Sequence, residues 1–126
     1  MKILVMSALA LSLVALTGCG RGHAVLNVTD ASIGSELKED GIEKGITRVL
    51  KRRGWRVGKK SKGKIMASIA VRSHRATIEI TYNKENYSIN YVDSQNLKYN
   101  EAKGTIHRNY NRWINNIDRD LQRYIN

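Results

Sequence analysis

The apolar positions of this chain change period along its length, and each change predicts an element. From Ile3 to Leu16 the residues are apolar apart from Ser7 and Ser12. That run is short for a bilayer span but has the length of a signal-peptide hydrophobic region. Val25, Leu26 and Val28 then suggest a small edge strand in an otherwise short tether. Ile42, Ile46, Val49 and Leu50 fall at i, i+4, i+7 and i+8, the stripe of a first helix. Ser35 is its expected N-cap. Glu36, Glu39 and Asp40 come early and Lys51, Arg52 and Arg53 late, as the helix dipole favours, and Gly54 supplies the stop. Gly41 and Gly45 weaken the first half, each by about 1 kcal/mol against alanine.

From Trp55 onward the period is two. Ile65, Ala67, Ile69 and Val71 share one face, as do Ala76, Ile78, Ile80 and Tyr82, and then Tyr87, Ile89 and Tyr91. The opposite faces carry Ser68, Arg72, Thr77, Glu79, Thr81, Ser88 and Asn90. That alternation predicts an antiparallel sheet with one buried and one wet face. The segments "RSHR" and "NKEN" read as hairpin connections, and "WRVGK" turned by "KSKG" adds a first strand, for three to four strands in all.

The helical period returns near the end with Ile106, Tyr110, Trp113, Ile114, Ile117, Leu121, Tyr124 and Ile125. Arg108, Arg112, Arg119 and Arg123 fall within roughly 60° of one another on the opposite side. The expected architecture is α+β in the order helix, strands, helix, with both helices on the apolar face of the sheet.

Composition adds a partner class. Of 126 residues, 22 are Lys or Arg and 11 Asp or Glu, for a net charge of +11, with one cysteine and neither proline nor phenylalanine. The core must therefore come from aliphatic, tyrosine and tryptophan packing. The cysteine, Cys19, ends the stretch "LTGC" immediately after the apolar run. This resembles the lipobox of bacterial lipoproteins, with a leucine three before the cysteine and small residues between.

The resemblance implies residues 1–18 as a cleaved signal peptide, a diacylglycerol thioether on Cys19, residues 19–34 as a lipidated tether and residues 35–126 as a single domain. It also implies palmitate-type acyl chains as the membrane anchor and no other cofactor. Gly20, where an aspartate would favour inner-membrane retention, points to the outer membrane with the domain facing the periplasm. The readings weighed against this are a conventional cleaved signal with a chance cysteine and an uncleaved membrane helix. Several acyl chains hold a protein on a membrane firmly, at about 0.8 kcal/mol per buried methylene, whereas one alone holds it marginally.

The run "YSINYVDSQNLKYN" followed by "IHRNYNRWINNID" also resembles a group of small uncharacterised Gram-negative lipoproteins. The likeness rests on Tyr87, Ile89, Tyr91, Asp93, Ser94, Asn96, Leu97 and Tyr99, then Ile106, His107, Tyr110, Asn111 and Trp113. It implies fold and address and brings no activity. The basic stretch "KRRGWRVGKKSKGK" departs from what that group leads one to expect.

Asp93, Ser94 and His107 are the residue types of a hydrolytic triad, but no nucleophile-elbow glycines surround Ser94. The structural reading is that Asp93, Ser94 and Asn96 shape the turn leaving the last strand, with His107 satisfying a carbonyl there. His23, His74 and His107 lack the spacing of metal ligands, so no metal is expected. Tyr82, Tyr87, Tyr91 and Tyr110 read as core edges with their hydroxyls at the rim, and Tyr99 as the centre of a possible carbohydrate or peptide platform.

The candidate binding residues are therefore cationic. Lys51, Arg52, Arg53, Arg56, Lys59, Lys60, Lys62 and Lys64 form a stretch without an acid, and Arg108, Arg112, Arg119 and Arg123 line the last helix. Export removes nucleic acid as the partner and leaves anionic lipid, lipopolysaccharide phosphates, peptidoglycan or an acidic envelope protein. The expected function is a lipid-anchored, non-enzymatic binding or adaptor module. The alternative is a structural accessory subunit of a larger envelope assembly, and a solvated charged face with no partner remains the bland reading.

Overall fold

The computed structural model describes residues 22–34 and 36–126. The leader, Cys19 and the expected cap Ser35 lie outside the described residues. The element order is β1 (His23–Ala24), β2 (Val28–Ser32), α1 (Glu39–Arg52), β3 (Arg56–Ser61), β4 (Lys64–Val71), β5 (His74–Tyr82), β6 (Asn86–Gln95), β7 (Thr105–Ile106) and α2 (Arg108–Tyr124). The class is α+β, with antiparallel pairing throughout.

The main sheet has five strands in the order β2-β6-β5-β4-β3, beside a two-stranded β1-β7 ribbon. This corrects the expectation of three to four strands in simple helix-strands-helix order. The stretch read as a tether supplies β1 and β2, so two strands precede α1. The edge strand expected from Val25, Leu26 and Val28 is displaced, and the observed strands share only Val28 with it; both are short and β2, "VTDAS", lacks alternation, with Asp30 at φ 50°. A bulge between Val28 and Ala31 in β2, another between Val57 and Lys60 in β3, and a third at Val92 in β6 interrupt the ladders.

One face of the sheet buries Ile65, Ala67, Ile69, Ala76, Ile78, Ile80, Tyr82, Tyr87 and Ile89. Both helices cover that face, and their stripes Ile42, Ile46, Val49 and Leu50 from α1 and Tyr110, Ile114, Ile117 and Leu121 from α2 join the same cluster. At about 25 cal/mol per Å² of apolar surface removed from water, such a cluster dominates the stability of a domain this small.

α1 starts at Glu39, with Lys38 at the N-cap position and no side-chain cap. It ends where the sequence places the stop. The Trp55 N–H donates to the Leu50 carbonyl at 2.9 Å and the Gly54 N–H to that of Lys51 at 3.1 Å. That is the Schellman pattern, and it needs a left-handed residue, met by Gly54 at φ 82°. The turn swings Trp55 under the helices, 3% exposed, edge-on to Trp113 with ring centroids 6.5 Å apart.

The two helices run antiparallel and close. A Cβ on Gly45 would meet the Ile125 side chain at 2.9 Å, so a larger residue there would have to displace that side chain.

Other expectations shift by a residue or a face. Trp113 is half-buried, packed against the cluster from its side, and Tyr124 is exposed. Arg72 sits in the β4–β5 turn at φ 56° and not on the wet face. Asp93 and Ser94 lie inside β6, which runs to Gln95, because the Val92 bulge keeps the ladder going past Tyr91. Asn96, at φ 58°, does turn the chain, its side-chain amide donating to the Ser73 carbonyl.

Candidate anionic-surface interface

α1 and α2 place their polar sides outward, away from the sheet. On α2 this exposes Arg108, Arg112, Arg119 and Arg123, as their spacing requires. On α1 it exposes Lys44, Arg48, Lys51 and Arg52. Lys44, Arg48, Lys51 and Arg52 line a groove of about 630 Å³ with Glu43, Thr47 and Lys60. Lys44 and Arg48 were missed in the linear reading because they precede the acid-free run. Their signal is the i, i+4, i+8 repeat Lys44, Arg48, Arg52, visible once the helix is assigned.

Arg52 joins this groove to a second one, lined also by Arg53, Asp120, Arg123 and Tyr124. Arg53 grips Asp120 in a bidentate pair, Nε to Oδ2 at 2.7 Å and Nη2 to Oδ1 at 3.0 Å. That hydrogen-bonded guanidinium holds the Asp120 carboxyl below its ordinary range against the opposing effect of burial. Arg52 lies over the Tyr124 ring, 5.3 Å from its centroid.

Arg53 is therefore a structural cation joining the helices. Arg52 keeps its charge at the surface, held in place by an aromatic face.

The hairpin cations are distributed differently. Lys60 pairs with Glu43 at 3.3 Å and Lys64 with Glu79 at 3.7 Å, both pairs partly solvated. Lys59 and Lys62 are exposed at the β3–β4 end. Arg56 stands in register with Ser68, Thr77 and Asp93 across four strands, on the sheet face opposite the helices. There it lines a cleft of about 550 Å³ with Arg75, Asp93 and Gln95 among others. The twelve candidates thus divide among the helix layer, the hairpin end and the open sheet face, and only the helix layer gathers many cations on one surface.

The residues weighed for catalysis have other partners. The Ser94 hydroxyl is 2.7 Å from that of Tyr91. His107 caps α2 instead of serving a loop carbonyl: its Nδ1 accepts from the Asn109 N–H at 3.1 Å, while its backbone N–H donates to the Leu97 carbonyl at 2.7 Å.

His74 and His107, distant in sequence, stack at 5.7 Å between centroids. Burial chiefly, then the positive charge of His74, Lys98, Arg108 and His23, pushes the His107 pKa below its ordinary value. Among the described residues no group of three or more His, Cys, Asp or Glu side chains is arranged to hold a metal ion.

The tyrosines divide into three environments. Tyr87 is fully buried, yet its hydroxyl donates to Asp118 at 2.5 Å and accepts from Gln122 Nε2 at 2.7 Å. Tyr110 is also fully buried, and its hydroxyl has no partner among the described residues. Tyr99, 41% exposed, stacks on Tyr91 at 4.3 Å. Desolvation is the first cause of the raised pKa of both Tyr87 and Tyr110.

Comparison with protein-family models, with curated proteins and with solved structures found no match.

Proposed function

We propose that this chain is a lipid-anchored envelope protein, held at Cys19 in the outer membrane and facing the periplasm, whose domain binds anionic envelope components. It is a binding or adaptor module and not an enzyme. The observation that carries the reading is the gathering of exposed cations on the outer side of the two helices, next to few acids and outside the ion pairs that occupy Arg53, Lys60 and Lys64. Basic residues near an anionic leaflet contribute about 1 kcal/mol each. A face of this kind supplements an acyl anchor and orients the domain it holds.

Cys19→Ser tests the address. It is expected to abolish incorporation of labelled fatty acid and to leave an unprocessed precursor; unchanged labelling sinks the anchor. The binding is tested with the unlipidated chain lacking residues 1–18, sedimented with phosphatidylglycerol vesicles or lipopolysaccharide at low and at physiological salt. Salt-sensitive binding is expected, since the screening length falls to about 8 Å at 0.15 M. If nothing binds at low salt and a stoichiometric protein co-purifies instead, the accessory-subunit reading replaces this one.

A further inference from the structure

The chain enters the fold at one end of α2. His23 pairs with Ile106, two residues before the first residue of α2, in the β1–β7 ribbon. Cys19 precedes His23 by four residues, a reach of about 14 Å at full extension. An acyl anchor on Cys19 therefore brings the Arg108 end of α2 close to the lipid headgroups. From Arg108 to Arg123 the outer side of α2 extends about 22 Å, at 1.5 Å per residue.

Two orientations satisfy that tether. The domain can stand on the Arg108 end, holding Arg119, Arg123 and the α1 cations away from the surface. It can instead lie down with both helices along the bilayer. Charge decides between them. Lying down brings Lys44, Arg48 and Lys51 of α1 and Arg112, Arg119 and Arg123 of α2 to the leaflet together, and all are exposed. Acids on that side are few: Asp40 lies near the start of α1, and Glu43 is paired with Lys60. Asp118, half-buried, is turned toward the sheet, where it accepts from the Tyr87 hydroxyl, and Asp120 is paired with Arg53. The opposite sheet face offers a smaller excess, since Lys64 there is matched by Glu79, Arg56 shares its ladder with Asp93, and Arg75 alone stands opposite a neutral residue, Gln95.

Resting on the anchored, anion-binding reading above, we infer that the domain lies with its helix layer flat against the anionic leaflet, phosphate headgroups filling the groove beside Lys44, Arg48 and Lys51, and the sheet facing away. The β3–β4 hairpin, the most lysine-dense stretch in the sequence, is then not the principal contact. Its Lys59 and Lys62 extend from the edge of the sheet.

Lysine acetylation of the full-length lipoprotein tests this directly. The protein is reconstituted into vesicles of phosphatidylcholine alone or of phosphatidylcholine with phosphatidylglycerol, and modified lysines are quantified by mass spectrometry. Lys44 and Lys51 are expected to react more slowly on the anionic vesicles than on the neutral ones, while Lys59 and Lys62 react equally on both. Arg112→Gln with Arg119→Gln, two exposed changes on the other helix, is expected to lower the docked population by about 25-fold, at about fivefold per charge, and so to abolish protection of Lys51.

Protection of Lys59 and Lys62 without Lys44 and Lys51 overturns the orientation, as does equal reactivity of all four on both vesicles. Protection of Lys44 and Lys51 in whole envelopes but not on anionic vesicles assigns the face to a protein and also overturns it. Flotation separates these outcomes from failure of the anchor, because protein that does not float with neutral vesicles refutes the lipid attachment itself.

Discussion

Replacing Tyr110 and Tyr87 by phenylalanine removes the same oxygen atom from two fully buried rings, and the structure assigns the two changes opposite signs. The Tyr110 hydroxyl is sealed from solvent without a hydrogen-bond partner among the described residues, on a ring that meets Tyr91 edge-on at 5.5 Å between centroids. Such an unpaired group costs about 1–3 kcal/mol of desolvation. Removing it leaves a gap of one atom, so Tyr110→Phe is expected to stabilise the fold by about 1 kcal/mol.

The Tyr87 hydroxyl donates to a carboxylate and accepts from an amide. A hydrogen bond to a charged group contributes about 1.5–3 kcal/mol, so Tyr87→Phe is expected to destabilise by about that amount. Urea unfolding followed by circular dichroism reads the difference. With a slope of about 1–3 kcal/mol per molar, the Tyr110→Phe midpoint should rise by roughly 0.3–1 M and the Tyr87→Phe midpoint fall by roughly 0.5–3 M.

A second arm uses pH. Burial raises both phenol pKa values, so above about pH 10 the unfolded chain releases these protons while the folded chain keeps them. Stability contributed in this way is complete below pH 10 and is lost as pH rises. Each phenylalanine variant should lack its tyrosine's share of the fall, about 1.4 kcal/mol per pH unit. Midpoints moving in the same direction for both variants, or alkaline slopes equal to wild type, would refute the reasoning.

Two further outcomes follow from the helices. Gly41→Ala places its Cβ 3.5 Å from Leu37, an ordinary contact, and should stabilise by about 0.5–1 kcal/mol. Gly45→Ala should lose that gain against Ile125, and thermal melts at about 4 °C per kcal/mol resolve the pair. His107, with its pKa lowered, lends stability that is complete above about pH 6.5 and is lost as pH falls through the folded value. His107→Asn keeps a capping acceptor and removes the titration, so it should match wild type at neutral pH and exceed it near pH 5; parallel stability curves would count against the cap.

The parts of the fold that were legible in the chain are those where one period runs long enough to be counted. The stripe from Tyr110 to Leu121 and the alternation from Ile65 to Ile89 gave the helices, the central strands and the shared buried face. Of β2 only the start at Val28 was legible, because in a five-residue edge strand with a left-handed Asp30 the pairing is supplied by β6 and not by its own side chains. The cap at His107 was equally hidden, since a histidine acts as an acceptor there only through its placement beside Asn109.

For the candidate interface, exposure of every named cation followed from the pattern. Their grouping did not, since it depends on how α1 crosses α2. The crossing set Arg53 against Asp120 and brought Lys44 and Arg48 into the same surface as Arg112 and Arg119.

Both borders of the five-stranded sheet are irregular. β2 carries its bulge beside Asp30, and β3 carries another beside Lys59 and Lys60. A second copy approaching either border meets a kinked backbone or a cluster of charge instead of a straight row of free N–H and C=O groups. The kinked, charged borders close the sheet at five strands and oppose its growth into a shared ribbon between molecules, a safeguard that would matter most under the two-dimensional confinement of the anchor proposed above.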